Sequence, residues 1–260
     1  MGPEIAVFWR CLLASLLLGL YVKLRGLNIS IKKGDGPMIL LGGFLMGVHW
    51  VTYFYALHLG SVALAMLTLH VFPALTTLLE PLLLRTRFHL YHLLLAGLVI
   101  LGIWWMAPAS ETEDKTTLAI VFGLVSALAY ALRNIFTRKV MSRYHGSTMM
   151  WYQLCIMTLL LVPYLMTKSS ETLLTDDWPI IVALALITTC LGHTLLVHSL
   201  KNYKAVTVAL LSSIIPVYGI ISAYLYLGEI PQRSTLIGGG FILATFLVEA
   251  GMTYRKKSTS

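Results

Sequence analysis

The stretch TLAIVFGLVSALAYALRNIFTRKV, residues 117–140, decides the fold of this chain. It is a mostly apolar run that closes on a basic cluster. With a rise of about 1.5 Å per residue, about 20 apolar residues in a helix cross the hydrocarbon core of a bilayer, which is about 30 Å thick. The stretch is therefore predicted to be a transmembrane helix.

Similar apolar runs recur along the whole chain. Of its 260 residues, 58% are hydrophobic and 12% are charged, whereas soluble domains carry about 25% charged residues. The runs are too continuous for a transmembrane β-barrel, whose strands alternate over about ten residues. We therefore predict an all-α integral membrane protein with nine transmembrane helices. Their approximate positions are 5–22, 38–59, 62–84, 89–106, 117–137, 147–166, 178–199, 205–227 and 235–254.

The basic residues predict how these spans are oriented. The net charge is +8, and with nine alternating spans most of the 19 Lys and Arg residues fall in loops on one side. Lys115, Lys168 and Arg233 fall on the other side, while Arg10 and Arg133 lie within spans. Because cytoplasmic loops carry an excess of Lys and Arg, the pattern predicts a cytoplasmic C-terminus. The positive charge is thus attributed to topology, and no nucleic-acid partner is predicted.

The two halves of the chain align when the sequence is shifted by 143 residues. Pro73 then falls on Pro216, Gly97 falls on Gly240, and FWRCLLASLLL matches YQLCIMTLLL. The helix at 117–137 is left over, because its counterpart would fall before Met1. We therefore predict repeat units of five helices, arranged as 4+5. Residues 1–113 form a first unit that lacks its opening helix, and residues 114–260 form the second. Since five is odd, the units cross in opposite directions, as in the inverted-topology repeats of many secondary transporters.

These stretches resemble the drug/metabolite transporter superfamily, in its EamA-type branch of five plus five helices. The resemblance is carried by FWRCLLASLLL, by residues 55–84, by GLVSALAYALRNIFTRKV, and by residues 199–245 with LGE before the last helix. Two features depart from the family pattern. The opening helix is absent, and the first unit reads LRTRF at 84–88, where LGE is usual. The second departure argues against a role for a paired glutamate.

The resemblance implies an alternating-access carrier whose central cavity is lined by the first, third and fourth helices of each unit. A polar ring is costly in hydrocarbon, so polar side chains on these helices should face the interior. Imidazoles donate and accept hydrogen bonds, and an indole offers a stacking surface or a cation–π site for an ammonium group. The alternative is that the histidines only join helices by hydrogen bonds. The predicted solute-binding residues are His49, Trp50, Tyr53, His70, Tyr130, Asn134, His193 and Tyr218.

Four further residues carry structural expectations. Pro73 and Pro216 each remove a backbone hydrogen bond at mid-span and are predicted hinges. Arg10 is expected to extend to the outer interface, and Glu80 is expected to pair at the surface with Arg85 or with loop lysines. The missing helix also predicts a groove beside the first span, which would expose Arg10 to lipid or to a second subunit.

The predicted function is secondary transport, by a carrier or exporter, of a small metabolite such as an amino acid or related organic solute. The chain lacks a Walker-type Gly–Lys motif and Cys/His metal spacing, so neither ATP-driven transport nor a metal is predicted, and no cofactor is expected. A multi-pass protein of the bacterial inner membrane, with a homodimer as a candidate assembly, fits this function. Two alternatives stay open: a membrane-embedded enzyme acting on lipid, and a truncated, non-transporting paralogue with a scaffolding role.

Overall fold

A computed structural model of the chain describes residues 2–85, 91–106, 114–167, 177–212 and 215–258. All regular structure within these ranges is helical, in agreement with the predicted all-α class. The helices are α1 Pro3–Leu24, α2 Gly36–Leu59, α3 Val62–Leu69, α4 Phe72–Leu84, α5 Tyr91–Met106, α6 Asp114–Met141, α7 Gly146–Leu165, α8 Trp178–Ala183, a π-helix Leu184–His193, α9 Thr194–Ser199, α10 Ala205–Ser212, α11 Ile215–Leu227 and α12 Arg233–Ser258.

Several of these helices are membrane spans by length and composition. Within the described ranges, six segments are long and apolar enough to cross a bilayer. They are Glu4–Leu24, Gly36–Leu59, Val62–Leu84, Asp114–Met141, Gly146–Leu165 and Trp178–Ser199. Gly97–Met106 and Ile215–Leu227 are shorter apolar helices inside two more of the predicted spans. The chain is therefore a multi-pass membrane protein, and the total of nine spans stays a prediction.

One of the predicted spans is built from two shorter helices, with a break between α3 and α4 at His70 and Val71. The equivalent span of the other half contains α10 and α11, and residues 213–214 between them lie outside the described ranges. A helix break is thus seen in the Val62–Leu84 span, beside Pro73.

Pro73 begins a helix and does not interrupt one. His70 ends α3 as its C-cap residue, and Pro73 is the second residue of α4. In the first turn of a helix the backbone N–H has no helical partner, so a proline there costs no hydrogen bond. The expectation that Pro73 removes a mid-span hydrogen bond is therefore wrong. The same expectation for Pro216, which follows residues outside the described ranges, and the hinge motion at both prolines stay predictions.

The chain divides into two compact units that do not follow the two halves of the sequence. Unit 1 consists of Met1–Val51 and Arg133–Lys204, and unit 2 consists of Thr52–Leu132 and Ala205–Ser260. Each unit thus combines segments from both predicted repeats, because packing joins helices that are far apart along the chain. The repeat boundary at residue 113 lies at the edge of a segment outside the described ranges, and it stays a prediction.

Close helix packing is visible inside each unit. In unit 1, α1 packs against α7 and against the π-helix. In unit 2, α5 packs against α12, where Gly102 and Gly238 face each other so closely that a Cβ on either would collide with the other's carbonyl oxygen. Gly123 similarly leaves room for the side chain of Thr68. Small residues let helix backbones approach in a membrane, where dispersion drives association.

A polar cluster ties two loops of unit 1 together. Asp35, just before α2, accepts hydrogen bonds from Arg143 and from the Tyr144 hydroxyl, the latter at 2.9 Å. The Tyr144 oxygen in turn accepts from the backbone N–H of Lys32 at 2.9 Å. Side-chain hydrogen bonds thereby tie the α1–α2 loop to the α6–α7 loop within unit 1.

Candidate functional site

Arg10 of α1 lies at the centre of a polar cluster in unit 1. Its side chain is only 6% exposed. Nε donates to the Thr189 hydroxyl at 2.7 Å, and Nη2 donates to the Thr188 hydroxyl at 2.8 Å. The guanidinium carbon lies 3.7 Å from the centre of the Trp50 ring, which is cation–π geometry. A buried guanidinium is therefore held between two hydroxyls and an indole face.

The π-helix Leu184–His193 supplies the two hydroxyls. The Thr188 and Thr189 hydroxyls both donate to the Leu184 carbonyl, at 2.7 and 2.9 Å. Because the wider π turn brings residue 189 over a carbonyl five positions earlier, the two adjacent threonines present their oxygens to the same guanidinium. π-helical segments are rare and often occur at functional sites.

Two predicted histidines join this cluster. The His193 ring lies 5.1 Å from the Trp50 ring, and His193 is the residue that the 143-residue shift aligns with Trp50. Arg10, Arg133 and His49 are the ionisable neighbours that act on the His193 imidazole. His49 is itself buried. The structure thus brings together His49, Trp50 and His193, as the candidate list implies, although their role in solute binding stays a prediction.

Arg10 was not among the predicted binding residues, and both expectations about it are wrong. It does not extend to the outer interface, and no groove exposes it, because α2 and the π-helix cover it within unit 1. A cavity of about 610 Å³ does open beside α1, but it is lined by Leu17, Leu18 and Tyr21 and not by Arg10. An arginine inside an apolar run is itself a sign of function, since charged side chains buried within a membrane usually have a functional role.

Asn134 belongs to a second buried network in unit 1, centred on Arg133. Arg133 Nε donates to Gln153 Oε1 at 3.0 Å, Nη2 donates to the same oxygen, and Nη1 donates to Asn134 Oδ1 at 2.9 Å. Gln153 Nε2 then donates to the Thr137 hydroxyl at 2.9 Å. Gln153 is the residue that the 143-residue shift aligns with Arg10. This network joins α6 to α7, so a packing role accounts for the Asn134 amide oxygen.

The other predicted residues lie in unit 2. His70 Nδ1 donates to the Met66 carbonyl at 2.7 Å, the Phe72 ring lies 5.6 Å from the His70 ring, and Tyr130 lies 4.8 Å from Phe72. His70 Nε2 is buried and lies beside the Ser212 backbone. His70 thus contacts the backbone of both α3 and α10, and its role in solute binding stays a prediction.

The two tyrosines left on the candidate list differ in exposure. Tyr53 is half-buried, whereas Tyr218 is 66% exposed. Tyr218 thus differs from the buried His70 and Tyr130 of the same unit. Within the described residues, no group of three or more His, Cys, Asp and Glu side chains is arranged to hold a metal ion.

Two glutamates of unit 2 have roles that the sequence did not indicate. Glu229 accepts hydrogen bonds from the backbone N–H groups of Val62 and Ala63, at 3.0 and 3.2 Å. Glu80, which is buried, accepts from the N–H of Val206 at 3.1 Å. Each carboxylate therefore lies at the N-terminus of a short helix, α3 or α10, where unpaired N–H groups and the helix dipole favour negative charge.

The expectation that Glu80 lies at the surface is therefore wrong, because its side chain is buried; its pairing with Arg85 or loop lysines stays a prediction. The 143-residue shift aligns Glu229 with Thr86, whereas the carboxylate that caps α10 is Glu80, six positions earlier. The two capping glutamates therefore do not occupy equivalent sequence positions.

Known proteins similar to this chain are transporters. The pseudopaline exporter CntI of Pseudomonas aeruginosa (strain UCBPP-PA14) is 26% identical over 239 residues, which cover 91% of this chain and 82% of the exporter. A probable amino-acid metabolite efflux pump of Escherichia coli (strain K12) is 27% identical over 243 residues, covering 87% of this chain and 81% of the pump.

A solved structure and a family model also match this chain. A crystal structure superposes with a TM-score of 0.70 at 16% identity, covering 95% of this chain and 88% of the other, which shows the fold. A model of the EamA-like transporter family matches residues 1–107 and 117–248, which together make up most of the chain. The match favours transport over the lipid-acting enzyme that the sequence left open. The chain belongs to the EamA-like transporter family.

Proposed function

We propose that this protein is a secondary transporter that exports a small metabolite, such as an amino acid or related organic solute. The observation that carries the proposal is the buried Arg10 guanidinium, 3.7 Å from the Trp50 ring centre and hydrogen-bonded to two threonines of a π-helix. An ionisable group inside a membrane span is costly, so it is a functional-site hypothesis by default.

The chemistry of the cluster suits a solute that carries a carboxylate. A guanidinium presents planar N–H donors that match carboxylate oxygens, and it stacks on aromatic faces. His49 and His193 add imidazole donors and acceptors beside it, and the Trp50 face adds a stacking or ammonium site. Zwitterionic amino acids and their derivatives offer all of these partners. The names of the relatives, a pseudopaline exporter and amino-acid metabolite efflux pumps, support the same class.

We further propose alternating access by two inverted repeats, with hinges near Pro73 and Pro216. The 143-residue sequence shift, which places Pro73 on Pro216, supports this proposal. The break between α3 and α4 beside Pro73 provides a point where the direction of that span can change. The remaining predicted residues stay candidates for solute binding; they are Tyr53, His70, Tyr130 and Tyr218 in unit 2 and Asn134 in unit 1.

The proposed location is the bacterial inner membrane, with the C-terminus in the cytoplasm. The bias of Lys and Arg toward loops of one side supports the orientation. Arg87, Lys168 and the acidic residues near 111–113 and 171–176, which contribute to this bias, lie outside the described residues. A homodimer is kept as a candidate assembly for the same protein.

The experiment is transport by purified protein in liposomes loaded with a panel of labelled amino acids and related metabolites. We expect saturable efflux of at least one carboxylate-bearing solute, abolished by excess unlabelled solute on the loaded side. A protein that is folded and inserted but moves none of the panel above empty liposomes would count against transport of this class. Lipid breakdown in the same liposomes, followed by mass spectrometry, would instead support the enzyme alternative.

A further inference from the structure

The cavity beside α1 has walls that are mostly leucine. It has a volume of about 610 Å³ and lies within unit 1, between α1 and the α8–α9 span. Leu17 and Leu18 line it from α1, and Leu186, Leu191 and Leu195 line it from the opposite wall. The last three are between 46 and 60% exposed. An apolar surface of this kind at membrane depth is in contact with hydrocarbon, so the cavity is suited to an acyl chain.

One end of the same cavity is polar. The His145 and His198 rings lie there with their centroids 5.2 Å apart, next to Ser147. His145 Nδ1 accepts from the Ser147 N–H at 3.3 Å. The proton of the neutral His145 ring therefore sits on Nε2, which makes that nitrogen a hydrogen-bond donor.

Two exposed cations lie near this polar end. They are Lys201 and Arg25, and both act electrostatically on His145. They belong to loops on the predicted cytoplasmic side. Cytoplasmic leaflets carry anionic lipids, which attract basic residues near the membrane surface. The leucine walls match the acyl chains of an anionic lipid, and the cations at one end match its headgroup.

A buried hydroxyl on the cavity wall adds an independent observation. Thr194, the first residue of α9, lines the cavity and is 9% exposed. Its Oγ1 has no hydrogen-bond partner in the part of the chain that the structure describes. A buried hydroxyl without a partner costs free energy, and rotation of its side chain toward the cavity would let an oxygen of a ligand headgroup or glycerol backbone satisfy it.

We propose that this cavity binds one anionic phospholipid of the cytoplasmic leaflet, with an acyl chain along the leucines and the phosphate beside His145 and His198. The volume is within the range of about 300–1,000 Å³ that is typical of ligand pockets. None of the cavity residues belongs to the Arg10 cluster, so the lipid site is separate from the proposed solute site and does not depend on it.

The test is thermal unfolding of the purified full chain in a neutral maltoside detergent. Dioleoyl-phosphatidylglycerol, dioleoyl-phosphatidylcholine and glycerol 1-phosphate are added separately, and native mass spectrometry counts the bound lipid. We expect phosphatidylglycerol to raise the melting temperature by several degrees more than phosphatidylcholine, with one lipid retained. Glycerol 1-phosphate should have no comparable effect, since it lacks the acyl chain.

Variants separate this site from general lipid effects. Lys201→Gln and His198→Ala should each lose at least half of the phosphatidylglycerol advantage, whereas the matched controls Lys139→Gln and His58→Ala should keep it. Because Lys201 is exposed, its substitution leaves folding intact. Equal effects of the two lipids, full stabilisation by glycerol 1-phosphate, or an unchanged advantage in both site variants would overturn the proposal. Efficient disulfide cross-linking between two copies of the Leu191→Cys variant would also overturn the proposal, because a second subunit would then cover the cavity.

Discussion

The Arg10 guanidinium stacks on the Trp50 indole, with 3.7 Å between the guanidinium carbon and the ring centre. The two residues lie on different helices of unit 1, and two threonines of the π-helix fix the guanidinium from the other side. A guanidinium that is both desolvated and held in place can bind a carboxylate in preference to a neutral group, and its side chain need not move to do so. This arrangement motivates the first two predictions.

Replacing Arg10 should impair transport more than folding. We expect Arg10→Ala to lower transport per folded molecule by at least about tenfold, equivalent to about 1.4 kcal/mol. Arg10→Lys should recover little of the lost transport, because an ammonium group lacks the planar arrangement of N–H donors that reaches both threonines. The measurement is efflux from proteoliposomes, normalised to folded protein, with the exposed Lys23→Ala on the same helix as control. Full activity of Arg10→Lys would show that charge by itself is sufficient.

His49 and Trp50 should behave as binding residues. We expect His49→Ala and Trp50→Ala to reduce normalised transport while the protein stays folded and in the membrane. A purely structural histidine would instead lose one interhelical hydrogen bond, which costs about 0.6 kcal/mol on average in a membrane. Transport per folded molecule would then be unchanged. Melting temperature is measured in parallel, and normal normalised transport by both variants would leave His49 as packing.

The Arg133–Gln153 pair should matter for stability. Arg133 is fully buried and donates two hydrogen bonds to the Gln153 amide oxygen. Residues in one hydrogen-bond network usually couple by about 0.5–3 kcal/mol. In a double-mutant cycle, we therefore expect Arg133→Ala, Gln153→Ala and the double variant to be non-additive in unfolding free energy. Additive values would show that α6 and α7 do not depend on this contact.

Glu229 and Glu80 should each protect the helix that they cap. Loss of a cap typically costs about 1 kcal/mol. Hydrogen–deuterium exchange should accelerate at the amides of Val62 and Ala63 in Glu229→Ala, and at Val206 in Glu80→Ala. Each variant is the control for the other, since the amides capped by the unchanged glutamate should keep their wild-type rates. Uniform acceleration at both helices in either variant would indicate global loosening.

The loop histidine His145 should make stability fall in acid. Desolvation of its ring lowers the pKa of His145 below the ordinary 6.5, and His198, Lys201 and Arg25 lower the same pKa further. Because the pKa of His145 is lower in the folded state than in the unfolded state, the neutral ring stabilises the fold above pH 6.5. This stabilisation is lost as the pH falls through the folded-state pKa. Protonation also removes the Nδ1 acceptor that caps Ser147 at the start of α7.

The matched variant is His145→Asn, since asparagine caps the same N–H without titrating. Between pH 8 and pH 5, we expect the wild-type melting temperature to fall more than that of the variant. Other titrating groups are shared by both proteins and cancel in the comparison. Parallel curves would show that His145 does not contribute to the acid sensitivity.

The helices, the family and part of the site could be predicted from the sequence. A membrane helix satisfies its backbone hydrogen bonds internally, so its position depends on the local run of apolar residues. The same locality lets a shift of 143 residues align the two halves, with Pro73 on Pro216. His49, Trp50 and His193 are candidates because polar rings avoid lipid, a rule that needs only their depth in a span.

Only the tertiary structure decided which polar groups meet. Arg10 contacts Thr189 across 179 residues of sequence, and Glu80 reaches Val206 across 126. Such contacts depend on the rotation and crossing of packed helices, which hydropathy does not encode, so Arg10 and Glu80 were both predicted at surfaces. The sequence by itself determined that the chain is a bundle of membrane helices of a transporter family. Packing determined where its buried charges lie, because a charge in a low-dielectric interior is stable only where hydrogen-bonding partners converge on it.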